Sequence, residues 1–199
     1  MLFWTKEEYL KFADVMMDKP VSYYAFEILY WCGLRMGELL ALTPADFNFE
    51  THTLRINKSY QRLHREDVIT PPKTLKSNRT IKMSQFLCDE MQDYMEMLYG
   101  LKEDERIFTI SKSYLHHEMN RGSKISGVKR IRVHDLRHSH VSLLINMGFT
   151  VLAIADRMGH ESIDITYRYA HLFPSEQTQM AEQLDIERME KLNGEKSGQ

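Results

Sequence analysis

Apolar residues recur along this chain at two different spacings, and the switch between them divides it into segments. From Thr5 to Asp18 the spacing is that of an amphipathic helix. Thr5-Lys6-Glu7-Glu8 opens it as a capping box, a threonine with glutamate three places on, and Pro20 marks its end. Residues 21–40 carry Phe26, Leu29, Tyr30, Leu34, Leu39 and Leu40 at helical spacing, interrupted by Gly33 and Gly37 and stopped before Pro44. Between 46 and 83 the texture changes to short alternating runs. Thr53-Leu54-Arg55-Ile56, Asp67-Val68-Ile69-Thr70 and Arg79-Thr80-Ile81-Lys82-Met83 are separated by turn-forming residues, which predicts three strands. Helical spacing returns over 84–99, 111–121, 134–147, 150–158, 162–172 and 175–192, with Gly148, Gly159 and Pro174 as stops. The predicted fold class is mainly α with a small three-stranded antiparallel β-sheet (α+β).

Composition narrows this without deciding function. With 199 residues, 43% hydrophobic and 27% charged, the chain has the size and make-up of one substantial globular domain. It contains no apolar run near the roughly 20 residues that span a bilayer, so no membrane partner is expected. The amino terminus turns acidic at Glu7-Glu8, too early for a signal peptide. Two cysteines, Cys32 and Cys88, make no disulfide framework, and a reducing cytoplasm is the expected compartment.

A net charge of -2 conceals a strong segregation. Residues 53–82 hold eight basic residues: Arg55, Lys58, Arg62, Arg65, Lys73, Lys76, Arg79 and Lys82. Six more fall within 121–137, among them Lys129, Arg130 and Arg132. Such a face can grip a phosphate backbone even on a near-neutral protein, although charge clustering alone is equally a solvated surface.

Four short motifs could carry chemistry. In His134-Asp135-Leu136-Arg137-His138, positions three apart share a helix face, so His134 and Arg137 can converge on one ligand atom. Histidine exchanges protons near neutral pH, and arginine offers a fixed charge with a planar donor fork suited to phosphate. The same spacing also suits an ordinary helix start with surface histidines. Arg35 lies in the apolar stretch between Gly33 and Gly37, with Glu38 one turn on as a partner; an internal ion pair explains it equally. Met158-Gly159-His160 is followed nine residues later by Tyr169, and Tyr167 and Tyr169 point about 200° apart on a helix. Core packing is the ordinary fate of such tyrosines. Lys73 and Lys76 sit between the second and third predicted strands, where lysines are either solvated or delivered to a phosphate.

Taken in order, Gly33-Leu34-Arg35-Met36-Gly37-Glu38, the Lys73-Thr74 pair, His134-Asp135-Leu136-Arg137-His138, Gly159-His160 and Tyr169 resemble the tyrosine recombinase (phage integrase) family over roughly residues 5–173. The resemblance implies that Arg35 and Arg137 clamp a scissile phosphate and that Tyr169 attacks it, with Tyr167 a poorly spaced alternative. It implies that Lys73, or Lys76 in its place, protonates the departing 5′-oxygen. His134 and His160 would share proton handling and phosphate contact, and Glu38 would support the first arginine. Lys58, Arg62, Lys76, Arg79, Lys129, Arg130 and Arg132 are the expected DNA contacts.

The implied activity is site-specific recombination through a 3′-phosphotyrosyl DNA intermediate, with no metal, cofactor or ATP. Double-stranded DNA is the implied partner, with a homotetramer on the synapse and a monomer for the isolated domain. The implied organisation is a catalytic domain over 1–174, a carboxy-terminal helix over 175–192 as a subunit-exchange element and a disordered tail over 193–199. The family's core-binding and arm-binding domains are expected to be absent from this chain. Three rivals stand beside this reading. They are a non-catalytic helix-turn-helix regulator built on 149–172, a metal site drawn from His116, His117, His134, His138 and His140, and a type IB topoisomerase-like relaxing enzyme.

Overall fold

A computed structural model describes residues 2–72, 74–167 and 169, together with Ala181, Leu184 and Ile186. Lys73, His171 and nearly all of the predicted 175–192 helix and its tail lie outside the described residues.

Helix α1 (Lys6–Met16) starts where the capping box requires. The Thr5 hydroxyl accepts from the Glu8 amide at 3.3 Å, and the Thr5 amide donates to Glu8 Oε2 at 2.9 Å. Pro20, read from sequence as a stop, is instead the first residue of α2 (Pro20–Trp31). Its missing N–H costs nothing at a helix start, where that group has no partner anyway. Helix α2 is the central strut, with Ala25, Phe26, Ile28, Leu29 and Tyr30 all buried. Around it Tyr9 stacks on Tyr30 with ring centroids 3.6 Å apart, and Phe12 meets Phe26 edge-on. The predicted 21–40 helix is broken. The chain leaves α2 at Cys32, takes φ +64 at Gly33 and turns into the single-turn α3 (Met36–Leu39). A Cβ at Gly33 would come within 2.7 Å of the His140 ring, so glycine answers both the backbone angle and the close approach.

The sheet also differs from expectation. Strands β1 (Phe47–Asn48), β2 (Thr53–Ile56) and β5 (Arg79–Lys82) form a three-stranded antiparallel sheet in the order β1-β2-β5, pairing Leu54 with Ile81. The run at 67–70 belongs elsewhere. It is β4 (Glu66–Thr70), paired with the unpredicted β3 (Ser59–Leu63) in a separate two-stranded ribbon. The hairpin turn is His64-Arg65, with φ of 51° and 72°. A two-residue turn with both φ values positive matches the twist of the strands, but it normally calls for Asn-Gly. Its absence explains why the ribbon was invisible. Arg106 fastens the ribbon to the body: its guanidinium lies 4.2 Å from the Tyr60 ring centroid and donates to Asp67 Oδ2 at 2.9 Å.

Beyond the sheet follow α4 (Gln85–Met97), α5 (Lys112–Ser126), α6 (Asp135–Asn146), α7 (Val151–Met158) and the short α8 (Asp164–Tyr167). Thr150 caps α7 through the Ala153 amide, and Gly159 ends it at φ +61. The apolar interior falls into two parts. A large cluster joins α1, α2, the sheet, α4 and α5, while a small one holds Val141, Ile145, Ile154, Met158 and Tyr169. No described helix is long and apolar enough to cross a membrane.

Candidate active site

Arg137 is the point on which the motifs converge. Its side chain leaves the first turn of α6 into the interior, where the residue is 4% exposed. Nη1 donates to the Gly33 carbonyl at 2.7 Å, and Nη2 donates to the Met158 carbonyl. One rigid fork therefore pins the turn carrying Arg35 to the turn carrying His160, from positions 104 and 21 residues away. Burial, then the Arg35 charge, pulls its pKa down to about 9 against Glu38, and it stays charged at neutral pH.

Arg35 caps α3 and is held by Glu38. Its amide donates to Glu38 Oε2 at 2.9 Å and its Nη1 to Oε1 at 2.8 Å. Glu38 is itself buried, and the structure adds a partner that the sequence reading placed elsewhere. Arg79, expected on the DNA-facing surface, has a side chain only 6% exposed and grips both Glu38 oxygens at 3.1 Å. Its Nε donates to the Arg157 carbonyl at 3.0 Å and its Nη1 to the Ser77 carbonyl at 3.1 Å. Arg79 is thus a brace between α3, the β4–β5 link and the end of α7. Burial alone would raise the Glu38 pKa, but hydrogen bonds and charge from Arg79, then the Arg35 and Arg137 charges, hold it down to about 2. A carboxylate so held is a fixed anion that orients two guanidiniums.

His160 follows Gly159 and is buried, its Nδ1 paired with Thr166 Oγ1 at 2.8 Å. Burial, then Arg137, Arg35 and Arg79, lowers its pKa to about 4, so the ring is neutral near pH 7. Gly159 is required here by contact as well as angle, since a Cβ would meet the Lys76 carbonyl at 2.6 Å. The β4–β5 link therefore passes directly over the glycine. His134 is exposed at the start of α6, and its pKa is lowered by partial loss of water and then by Arg137, against Asp135. Its ring meets His138 edge-on at 5.2 Å. Asp135 is buried at the helix start and accepts from the Arg132 amide at 2.9 Å and Nη2 at 2.8 Å, a favourable place for an anion.

Tyr169 is 4% exposed, and its hydroxyl is hydrogen-bonded to His138 Nδ1; Tyr167, the alternative, is 52% exposed. Arg35, Glu38, Arg137, His160 and Tyr169 are therefore brought into one neighbourhood, with His134 at its mouth. Beside it a cleft of about 240 Å³ is lined by Arg35, Lys58, Thr70, Pro72, Gly159 and Glu161. Lys73 lies outside the described residues, in the link after Pro72, and Lys76 is exposed.

The remaining expected DNA contacts are placed unevenly. Lys58 is committed inward, 2.6 Å from Asp46 Oδ2. Arg62, Arg130 and Arg132 are exposed, as is Lys129, which pairs with Glu8 at 3.2 Å. The histidines of the suggested metal site do not pool. His140 Nε2 accepts from Arg157 Nε at 3.1 Å, and no group of three metal-type side chains occurs among the described residues. Sequence reasoning missed the brace role of Arg79, the Thr166 partner of His160 and the His138 contact to Tyr169. Only the last had a signal, because His138 directly follows Arg137 in the motif.

Comparison with known proteins finds similarity along nearly the whole chain. The model of the phage integrase family matches residues 3–176. The ICEBs1 integrase of Bacillus subtilis is 32% identical over 93% of this chain and 54% of its own length. A tyrosine recombinase of Pseudothermotoga lettingae is 26% identical over 87% of this chain and 57% of its own. The chain thus spans about half the length of these relatives. Among solved structures, the Tn1549 transposon integrase bound to transposon right end DNA superposes with a TM-score of 0.76 at 21% identity, over 94% of this chain and 65% of that one. The catalytic domain of bacteriophage HP1 integrase gives 0.65 at 19% identity, over 92% of this chain and 94% of that one.

Proposed function

We propose a function that starts from a plain fact: the chain belongs to the phage integrase family. It is the catalytic domain of a site-specific tyrosine recombinase, spanning residues 1–174, and it acts on double-stranded DNA. Tyr169 is the nucleophile. Its hydroxyl oxygen attacks the scissile phosphorus, the bond to the 5′-oxygen breaks, and a 3′-phosphotyrosyl ester holds the strand until a 5′-hydroxyl reverses the step.

A phenol with a pKa near about 10 is a weak nucleophile at neutral pH, and the five-coordinate transition state crowds negative charge onto the phosphoryl oxygens. Arg35 and Arg137 supply fixed positive donors, His160 and His134 supply imidazole donors, and Lys73 protonates the leaving 5′-oxygen. Because Glu38 and the two backbone carbonyls already hold the guanidiniums, little reorganisation remains at the moment of reaction. The ester conserves the bond energy, so rejoining needs no ATP.

The observation that carries this reading is the Arg137 fork, which ties the Arg35 and His160 turns to one point beside Tyr169. The structure of the Tn1549 transposon integrase with transposon right end DNA supports DNA as the partner. A homotetramer on the synapsed sites, assembled through the 175–192 segment, completes the proposal. Covalent trapping on a nicked duplex of the attachment site tests it: Tyr169→Phe is expected to lose the protein–DNA adduct while keeping its melting temperature. An adduct of undiminished yield rejects Tyr169 as nucleophile.

A further inference from the structure

The contact between His138 and Tyr169 has no place in the chemistry above, and this inference rests on that reading of Tyr169. His138 is the fourth residue of α6, its side chain 14% exposed, with its two ring nitrogens facing different groups. Nδ1 meets the Tyr169 hydroxyl. Nε2 lies 3.8 Å from Asp135 Oδ1, too far for a hydrogen bond but close enough for its charge to be felt. The carboxylate is anionic at neutral pH, since the hydrogen bonds from Arg132 outweigh the effect of its burial. Tyrosine, imidazole and carboxylate are therefore in series, the order in which a nearby anion favours an imidazole that takes up a proton.

We infer that His138 is a catalytic residue that takes the Tyr169 proton. As the phenol oxygen bonds to phosphorus, its proton passes to His138 Nδ1, and Asp135 stabilises the imidazolium. The P–O5′ bond breaks, and the 5′-oxygen takes its proton from Lys73. In rejoining, the 5′-hydroxyl returns its proton to Lys73, and His138 returns the other to Tyr169, so charge and protons balance.

In the free protein the acceptor form is already present. Burial, then the His134, Arg132 and Arg137 charges, lowers the His138 pKa to about 4 against Asp135. His160, in the turn after α7, is near enough that a charge on His138 disfavours its own. A phosphodiester between Arg35 and Arg137 offsets part of the positive field that now depresses the ring, raising its basicity at the step that needs it.

The test separates base from acid by changing the leaving group. The probe is a suicide duplex of the attachment site, with either oxygen or a bridging 5′-sulfur at the scissile bond. Sulfur leaves without protonation, so it rescues the loss of an acid and not the loss of a base. His138→Asn keeps an acceptor near the Nδ1 position but cannot carry the proton away. It is expected to slow adduct formation by about 100- to 10,000-fold on both duplexes. Lys73→Ala is expected to be slow on oxygen and restored on sulfur. A wild-type rate for His138→Asn overturns the inference, and so does rescue by sulfur. Should Tyr169→Phe still form an adduct, the nucleophile assignment itself falls. A second measurement needs no DNA: long-range ¹H–¹⁵N spectra of the free chain should show His138 Nδ1 unprotonated and shifted by Tyr169→Phe. A protonated Nδ1, or no shift, overturns the inference independently of any folding defect in the variant.

Discussion

Glu27 and Glu38 are both buried acids whose surroundings push them in opposite directions. Glu38 meets two arginines and stays ionised. Glu27, on α2, meets the Tyr9 hydroxyl at 2.6 Å, and burial carries its pKa from 4.5 to about 7, helped by Glu90 and opposed by the hydrogen bonds from Tyr9 and Trp31. With the folded value raised, the protonated form is the one favoured in the native state. Below the unfolded value of 4.5 this group costs nothing. Between there and about 7 the unfolded chain releases its proton first, so stability falls as pH rises, and above about 7 the full cost applies. Glu27→Gln keeps an acceptor for Tyr9 and removes the charge. Its advantage over the parent in urea denaturation is expected to grow between about pH 5 and pH 8, by up to roughly 3 kcal/mol. A gap that stays constant with pH rules this out. At this scale the sequence was only half legible. Arg35 and Glu38, three apart, announced their own pairing, whereas nothing near Arg79 announced that it reaches back 41 residues to the same carboxylate.

Elements were legible where local chemistry decides them. The Thr5 box, Gly159 and the period of α4 placed helices within a few residues, because caps and amphipathic faces are written in adjacent positions. They were illegible where a residue adopts a backbone state its type disfavours. His64 and Arg65 both take the left-handed region that favours glycine, so the β3–β4 turn carried no signal and β3 went unread. That choice has a cost. Replacing the pair, His64→Asn with Arg65→Gly, is expected to raise unfolding free energy by about 1 kcal/mol, since each non-glycine residue there is strained. Thermal melting checks it, and an unchanged or lower midpoint contradicts it. The ribbon also shows why β4 was assigned to the wrong sheet. An alternating run states that it is a strand and does not name its partner.

For the molecule as a whole, order and spacing of the motifs revealed the family long before any contact was known, because Arg35, His134, Arg137, His160 and Tyr169 keep their sequence intervals. What spacing could not reveal was the wiring beneath, in which backbone carbonyls of Gly33 and Met158 seat one guanidinium. Nor could it reveal that the interior is divided, with Tyr169 in the smaller cluster beside Ile154 and Met158. A small apolar cluster that shares α6 with the main core but carries α7 and Tyr169 is expected to open as a unit of its own. Amide exchange in α7 is expected to be governed by sub-global opening, with protection well below that of α2 and insensitive to core substitutions around Phe26. Equal protection in the two helices would mean a single cooperative unit. The large core can thus keep the chain folded while the piece bearing Tyr169 loosens, so that overall robustness and the mobility of this one tyrosine can be tuned by different residues.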